Sequence, residues 1–65
     1  MSISSKIHLY LVQNKISQTW LSEKAGIALP KLNASLKEKR KLAVDEYEKI
    51  VNALGVDANT FIESK

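Results

Sequence analysis

The sequence has no cysteine, one proline and two glycines among its 65 residues. The absence of cysteine excludes disulfide bonds, thiolate nucleophiles and cysteine-based zinc sites, and it is typical of a reducing compartment. No apolar run is long enough to span a bilayer, and the first eight residues, MSISSKIH, lack the apolar core of a signal peptide. We therefore expect a cytoplasmic protein without a membrane partner.

No set of side chains in the sequence indicates an enzyme. His8 is the single histidine, and no glycine-rich phosphate-binding loop is present. Asp45, Glu46 and Glu48 lie together, but at the predicted start of a helix, where carboxylates interact favourably with the helix dipole. A chain this short leaves little room for a substrate pocket. We therefore expect no catalytic residue, no metal and no cofactor.

Basic and acidic side chains are unevenly distributed along the chain. Residues 37–41 (KEKRK) contain four basic side chains and one acidic, whereas residues 42–65 contain two lysines and five acidic side chains. The net charge of the whole chain is only +3. The distribution of basic and acidic residues along the chain is therefore more informative than the net charge itself. It indicates an anionic partner that contacts one basic face. An ordinary solvated surface is the alternative.

The spacing of apolar residues predicts a compact, all-α, five-helix domain that occupies residues 1–65 as a single unit. No stretch alternates apolar and polar residues as a strand does. Capping residues, the two glycines and the apolar spacing set the predicted limits. The first predicted helix is capped by Ser4 or Ser5, and its core face consists of Ile3, Ile7, Tyr10 and Leu11. The second covers residues 17–26, and the third begins at about Leu29. The fourth covers residues 44–54 with Val44 facing the core, and the fifth is capped by Asp57 and includes Phe61 and Ile62.

The second and third predicted helices are joined by a short turn at Gly26. Glycine adopts the left-handed conformation at a helix C-terminus without steric cost, and Pro30 is compatible with the first turn of the following helix. Two short helices joined by a glycine-containing turn are typical of the helix-turn-helix motif, whose second helix enters the DNA major groove. DNA binding is therefore our first interpretation.

Several short sequence elements follow one another at a specific joint spacing along the chain. They are Ile16, Ser17 and Gln18; Leu21 and Ser22; Gly26, Ile27 and Ala28; Leu32; the KEKRK stretch; and Ala53, Leu54, Gly55 and Val56. Together they resemble the lambda-repressor-like family of helix-turn-helix DNA-binding domains, of the Xre and Cro type, over residues 7–62. The resemblance implies a transcriptional regulator of the repressor or Cro type, found also in phages, that binds a palindromic operator as a homodimer.

The resemblance and the basic stretch together predict the residues that contact double-stranded DNA. Two begin the helix that crosses the DNA backbone, four lie on the recognition helix, and the remainder are basic residues that bind phosphates, which gives affinity with little sequence preference. A solvated surface is the alternative for Gln18 and for the basic residues after the recognition helix. For Leu29 and Pro30 the alternative is a protein-binding surface. The predicted contacts are Ser17, Gln18, Leu29, Pro30, Lys31, Asn33, Lys37, Lys39, Arg40 and Lys41.

The predicted recognition helix departs from the family pattern where it begins. Phage relatives recognise bases through its first two residues and one residue a turn later, which here are Leu29, Pro30 and Ala34. None of these side chains has a hydrogen-bonding group, so bidentate base recognition from them is excluded. Leu29 and Pro30 retain only contacts with thymine methyl groups.

The surface outside the predicted DNA contacts has two interpretations. The resemblance places a homodimer contact at Val56, Ala58 and Phe61. The rival hypothesis, from another class, is a protein-interaction module similar to antitoxins or phage inhibitors. Such a module would bind a protein partner through apolar surface residues, which are Leu9, Val12, Trp20 and Leu29. For Leu9 and Val12 we expect instead packing against Phe61 and Ile62. The chain is interpreted either as a whole regulator or as the DNA-binding domain of a longer one.

Overall fold

Residues 2–62 are described in a computed structural model, and they form four α-helices and no strand. The helices are α1 (Ile3–Gln13), α2 (Gln18–Ala25), α3 (Leu29–Leu36) and α4 (Val44–Leu54). Helix α2 packs against α3 and α4, and α1 packs against α3. The core between the helices consists of Ile7, Leu11, Leu21, Ile27, Leu32, Leu36, Tyr47, Ile50, Val51 and Phe61. None of the helices within residues 2–62 combines the length and apolarity that a bilayer crossing requires.

The helix ends follow local capping chemistry. Ser17 Oγ accepts the Trp20 N–H at 3.0 Å, which confirms Ser17 as the N-cap of α2. Gly26 ends that helix with a φ of 73°, in the left-handed conformation that glycine favours. The predicted cap of α1 was wrong by two or three residues, because Ser2 Oγ, and not Ser4 or Ser5, accepts the Ser5 N–H at 3.1 Å.

The predicted fifth helix is absent from the described residues. After α4 the chain makes turns, in which the Thr60 N–H donates to the Asp57 carbonyl at 3.0 Å and the Ile62 N–H donates to the Asn59 carbonyl at 3.2 Å. Both bonds connect residues three apart, so the α-helical spacing of four is not established. Asp57 Oδ1 accepts the Asn59 N–H at 2.8 Å and closes a turn, although we predicted it as a helix cap.

Phe61 is nevertheless buried, because two tyrosines hold its ring. The Phe61 ring packs edge-on against Tyr10, with 5.5 Å between centroids, and against Tyr47, with 6.4 Å. The Tyr47 hydroxyl donates to the Ala58 carbonyl and ties the turns to α4. Tyr10 and Phe61 therefore complete the core on this side of α1, and Leu9 and Val12 remain exposed, contrary to our expectation.

Two further apolar residues are more exposed than their spacing predicts. Val44, the first residue of α4, is 78% exposed, and Ile3, the first residue of α1, is also exposed. Both lie in the first turn of their helix, which extends beyond the core that the remaining turns cover. The core faces of α1 and α4 therefore begin one turn later than predicted, at Ile7 and Tyr47.

Candidate nucleic-acid interface

The start of α3 lies at the surface. Leu32, Ser35 and Leu36 are buried, and their spacing of three and four residues places them on one face of the helix. Leu29, Pro30 and Lys31 in the first turn are exposed. Ala28 precedes the helix without a side-chain cap, so the N-terminal end of α3 is open to solvent.

The turn between α2 and α3 is fixed by a small set of hydrogen bonds. The Ser22 carbonyl accepts the N–H groups of Gly26, at 3.0 Å, and of Ile27, at 3.1 Å. The Ser22 hydroxyl donates to the Ile27 carbonyl, and the Ile27 side chain is buried. These contacts determine the direction in which the chain leaves α2 and therefore hold the start of α3 relative to α2.

Two predicted contact residues are paired with each other. Asn33 Nδ2, on α3, donates to Gln18 Oε1, at the start of α2, at 3.0 Å. Both side chains are half-buried. The bond joins the two helices on the side of α3 where Leu29 and Pro30 lie, since Asn33 follows them by four and three residues. The amide pair thus places polar groups beside the apolar side chains of Leu29 and Pro30.

The basic connection after α3 folds back on that helix. The Lys39 N–H donates to the Ala34 carbonyl at 2.8 Å, and Glu38 adopts a φ of 62°. The Glu38 carboxylate accepts a hydrogen bond from the Ser5 hydroxyl at 2.9 Å, which ties the connection to α1. The side chains of Lys37, Lys39 and Lys41 are exposed. They lie on the segment that immediately follows the C-terminal end of α3.

Arg40 differs from these lysines because its guanidinium is engaged in bonds within the fold, and its role as a phosphate contact stays a prediction. Its Nη1 donates to Glu46 Oε1 at 2.9 Å and to Ser35 Oγ at 2.8 Å, and its Nη2 donates to Glu46 Oε2 at 3.0 Å. The guanidinium is therefore committed to a bidentate ion pair and to the hydroxyl of a fully buried serine. Arg40 joins α3, the connection and α4.

The sequence analysis interpreted Glu46 only through the helix dipole and did not assign its pairing with Arg40. Its carboxylate also accepts the Ala43 N–H at 3.1 Å, ahead of the first residue of α4. The hydrogen bond from Arg40 holds the pKa of the Glu46 carboxyl below its ordinary value, and the Ala43 N–H acts in the same direction. The available signal was a glutamate at the third position of a helix, where it can reach back to the N-cap N–H.

The electrostatics of the surface follow from these pairings. Arg40 with Glu46 is the one ion pair found within residues 2–62. Lys37, Lys39 and Lys41 have no carboxylate within ion-pair distance in that part of the chain, and neither does Lys31 on α3. Helix α3 and its connection thus present lysines whose charge can attract an anion.

The predicted dimer residues differ in their surroundings. Ala58 is exposed and Val56 is half-buried, so both present some surface to a partner. Phe61 is only 4% exposed and packs between Tyr10 and Tyr47. Its predicted place in a dimer contact is therefore corrected to a place in the core.

Other surfaces of residues 2–62 show no second chemical site. No group of three or more metal-ligating side chains occurs there. A shallow groove of about 740 Å³ lies between the start of α1, the connection and the start of α4, and Ile3, Val44 and Ile62 are the exposed apolar residues in it. The groove therefore combines apolar contact area with polar side chains of the connection, among them Lys39 and Lys41.

Compared with models of protein families, with curated proteins and with solved structures, the chain matches none. Membership of the lambda-repressor-like family therefore stays a prediction, and the function has to be argued from the residues.

Proposed function

We propose that this protein binds double-stranded DNA as a transcriptional regulator of the repressor or Cro type. In this proposal α2 and α3 form a helix-turn-helix, and α3 is the recognition helix. One observation supports the proposal above all others. The exposed start of α3 and the three exposed lysines of its connection belong to one continuous segment, residues 29–41.

The two parts of this segment suit different tasks. Lys37, Lys39 and Lys41 provide charge for phosphates, which contributes affinity and on-rate for any sequence. The exposed turn of α3 presents its side chains at the end of a helix, where base edges in a major groove are contacted in the helix-turn-helix arrangement. Gln18, at the start of α2, provides an amide for a phosphate beside that groove.

A homodimer on a palindromic operator completes the proposal. A single small module buries little surface on DNA, so affinity and site length both increase when two copies bind half-sites roughly 34 Å apart. Ala58 and Val56 are the predicted dimer residues that retain exposed surface. Occupation of the operator would regulate transcription, in a cytoplasmic setting.

Retention on immobilised DNA tests the proposal. We expect the protein to be retained on a column of mixed-sequence duplex at low salt and to elute as salt increases, because phosphate contacts release counterions. A sulfonate resin of equal charge density is the control for simple cation exchange. Elution from the two resins at the same salt concentration would contradict the proposal.

A second candidate function is a protein-interaction module. The observation that favours it is the exposure of four large apolar side chains, whose area a protein partner would cover. They are Leu9, Val12, Trp20 and Leu29. Under this alternative the protein fails to bind any duplex at low salt, and Leu29→Ser and Trp20→Ser prevent capture of a protein partner while leaving the thermal stability unchanged.

A further inference from the structure

We propose that Asn33 is the specificity-determining residue of α3, that it selects an adenine in the major groove, and that Gln18 is its positioning residue. The inference rests on the proposed DNA-binding function and deepens it. It concerns one base pair in each half-site.

The argument begins with the hydrogen-bonding groups that α3 presents. Leu29, Pro30 and Ala34 have none on their side chains. Lys31 is exposed, but its ammonium only donates, and the Ser35 hydroxyl is buried and bonded to Arg40. Asn33 is thus the one side chain of α3 that has both donors and an acceptor on the exposed side of the helix.

The hydrogen bond to Gln18 determines which donor and acceptor groups of Asn33 remain available for a base. An asparagine amide has two N–H donors and a carbonyl acceptor. One N–H of Asn33 is used by Gln18 Oε1, at 3.0 Å. The second N–H and the carbonyl Oδ1 remain, and in this proposal the N–H that stays free is the one cis to Oδ1. This pair matches the major-groove edge of adenine, where N7 accepts and N6 donates.

The other bases match this pair less well. Guanine presents two acceptors, cytosine presents a donor, and thymine presents an acceptor and a methyl group. Each of them satisfies at most one of the two groups that Asn33 has left. An unmatched amide group removed from water costs free energy, so the mismatch discriminates against these bases.

Gln18 contributes by holding the Asn33 amide in place. An asparagine whose orientation is already fixed loses less rotational freedom when it binds a base. Gln18 retains its own Nε2 group as a donor for a phosphate. The same pair therefore connects the backbone contact of α2 with the base contact of α3, which sets the register of the protein on the duplex.

Selection of binding sites from a randomised duplex library tests the inference. We expect the unmodified protein to enrich one A·T pair in each half-site. Asn33→Ala should remove the preference at that pair and weaken binding to the selected site by roughly 5- to 150-fold per half-site, with preferences elsewhere unchanged. Asn33→Asp, which has acceptors only, should move the preference at the same pair from adenine to cytosine.

Two substitutions of Gln18 separate positioning from phosphate binding. Both Gln18→Glu and Gln18→Met remove the Nε2 donor and should weaken binding to all duplexes. Gln18→Glu keeps an acceptor for Asn33, so the adenine preference should remain, whereas Gln18→Met lacks one and should reduce that preference. A merely structural role of Gln18 would give equal base preferences in the two variants. Thermal melts establish that each variant is folded.

The outcomes distinguish this inference from the proposed function. If the unmodified protein binds no duplex at low salt, the DNA-binding function itself is wrong. If it selects a site and Asn33→Ala keeps the same base preference, the inference is overturned and the function remains. Enrichment of a base other than adenine at the pair that depends on Asn33 also overturns it.

Discussion

At the scale of single residues, Gly26 determines whether α2 ends where α3 can begin. Its φ is 73°, and no atom beyond Gly26 and its two chain neighbours lies within 4 Å of the position that a Cβ would occupy. A substitution there therefore adds backbone strain without a steric collision. We expect Gly26→Val to destabilise the fold by about 1–2 kcal/mol, measured by urea denaturation.

Asparagine provides the control for this substitution, because it tolerates the left-handed conformation far better than valine. Gly26→Asn should retain most of the stability that Gly26→Val loses. Equal losses for the two variants would show that the conformation of the turn does not limit stability.

The Arg40–Glu46 pair gives the fold a dependence on pH. The pKa of Glu46 is lowered in the folded state, so its contribution is present above the ordinary pKa and is lost as pH falls through the folded-state value. We expect urea midpoints to fall as pH decreases below the ordinary glutamate pKa, and to fall less for Glu46→Gln than for the unmodified protein.

Glu48→Gln is the matched control, because it makes the same chemical change on the exposed part of α4. It should leave the pH dependence close to that of the unmodified protein. If both variants reduce the dependence equally, the contribution belongs to the acidic surface in general and not to the pair with Arg40.

At the scale of helices, α2 and α3 differ in how they begin. Ser17 caps α2 through its hydroxyl, whereas Ala28 provides no side-chain bond to α3. Ser17→Ala should therefore destabilise the fold by about 1 kcal/mol, and Ala28→Ser should stabilise it by about 0.5 kcal/mol or more. Thermal melts of the two variants should shift in opposite directions, and a shift in the same direction would contradict this assignment of the caps.

The elements that the sequence predicts well are those with local signals. Ser17, Gly26 and the limits of α4 are confirmed, because caps, glycines and apolar spacing act within one helix. The turns that replace the fifth helix were not predictable in this way. Phe61 is buried by contacts with Tyr10 and Tyr47, which are distant in sequence. The apolar character of Phe61 alone therefore did not show whether the backbone around it is helical or makes turns.

The candidate interface was predictable to a similar extent. The exposed lysines follow from composition and position, since charged side chains after a helix remain in water. The pairing of Arg40 with Glu46 and of Asn33 with Gln18 depends on the three-dimensional placement of side chains from different segments. From sequence spacing alone, Arg40 was grouped with the neighbouring lysines as a phosphate contact, because spacing does not identify a partner such as Glu46.

At the scale of the whole molecule, the proposed function predicts two copies on one palindromic site. Sedimentation of the protein with a selected palindromic duplex should give a two-to-one complex, with weaker self-association when DNA is absent. Ala58→Glu should weaken the two-to-one complex but not binding to a single half-site, because Ala58 is exposed away from the core. A strictly one-to-one complex at saturation would exclude the homodimer.

The central claim is that phosphates are bound by the lysines after α3. Three phosphate contacts in each subunit of a dimer give a slope of about −5 for log affinity against log salt concentration, at roughly −0.9 per contact. Lys37, Lys39 and Lys41 are the exposed candidates, whereas Arg40 is held by Glu46.

The most direct measurement is a salt titration of duplex binding by the unmodified protein, Lys41→Ala and Lys49→Ala. Lys49 is exposed on α4, outside the candidate interface, and its loss changes the net charge equally. We predict that Lys41→Ala flattens the slope by about two units, one per subunit, on every duplex, and that Lys49→Ala leaves it unchanged. Equal slopes for all three proteins, or no binding at low salt, would contradict the account.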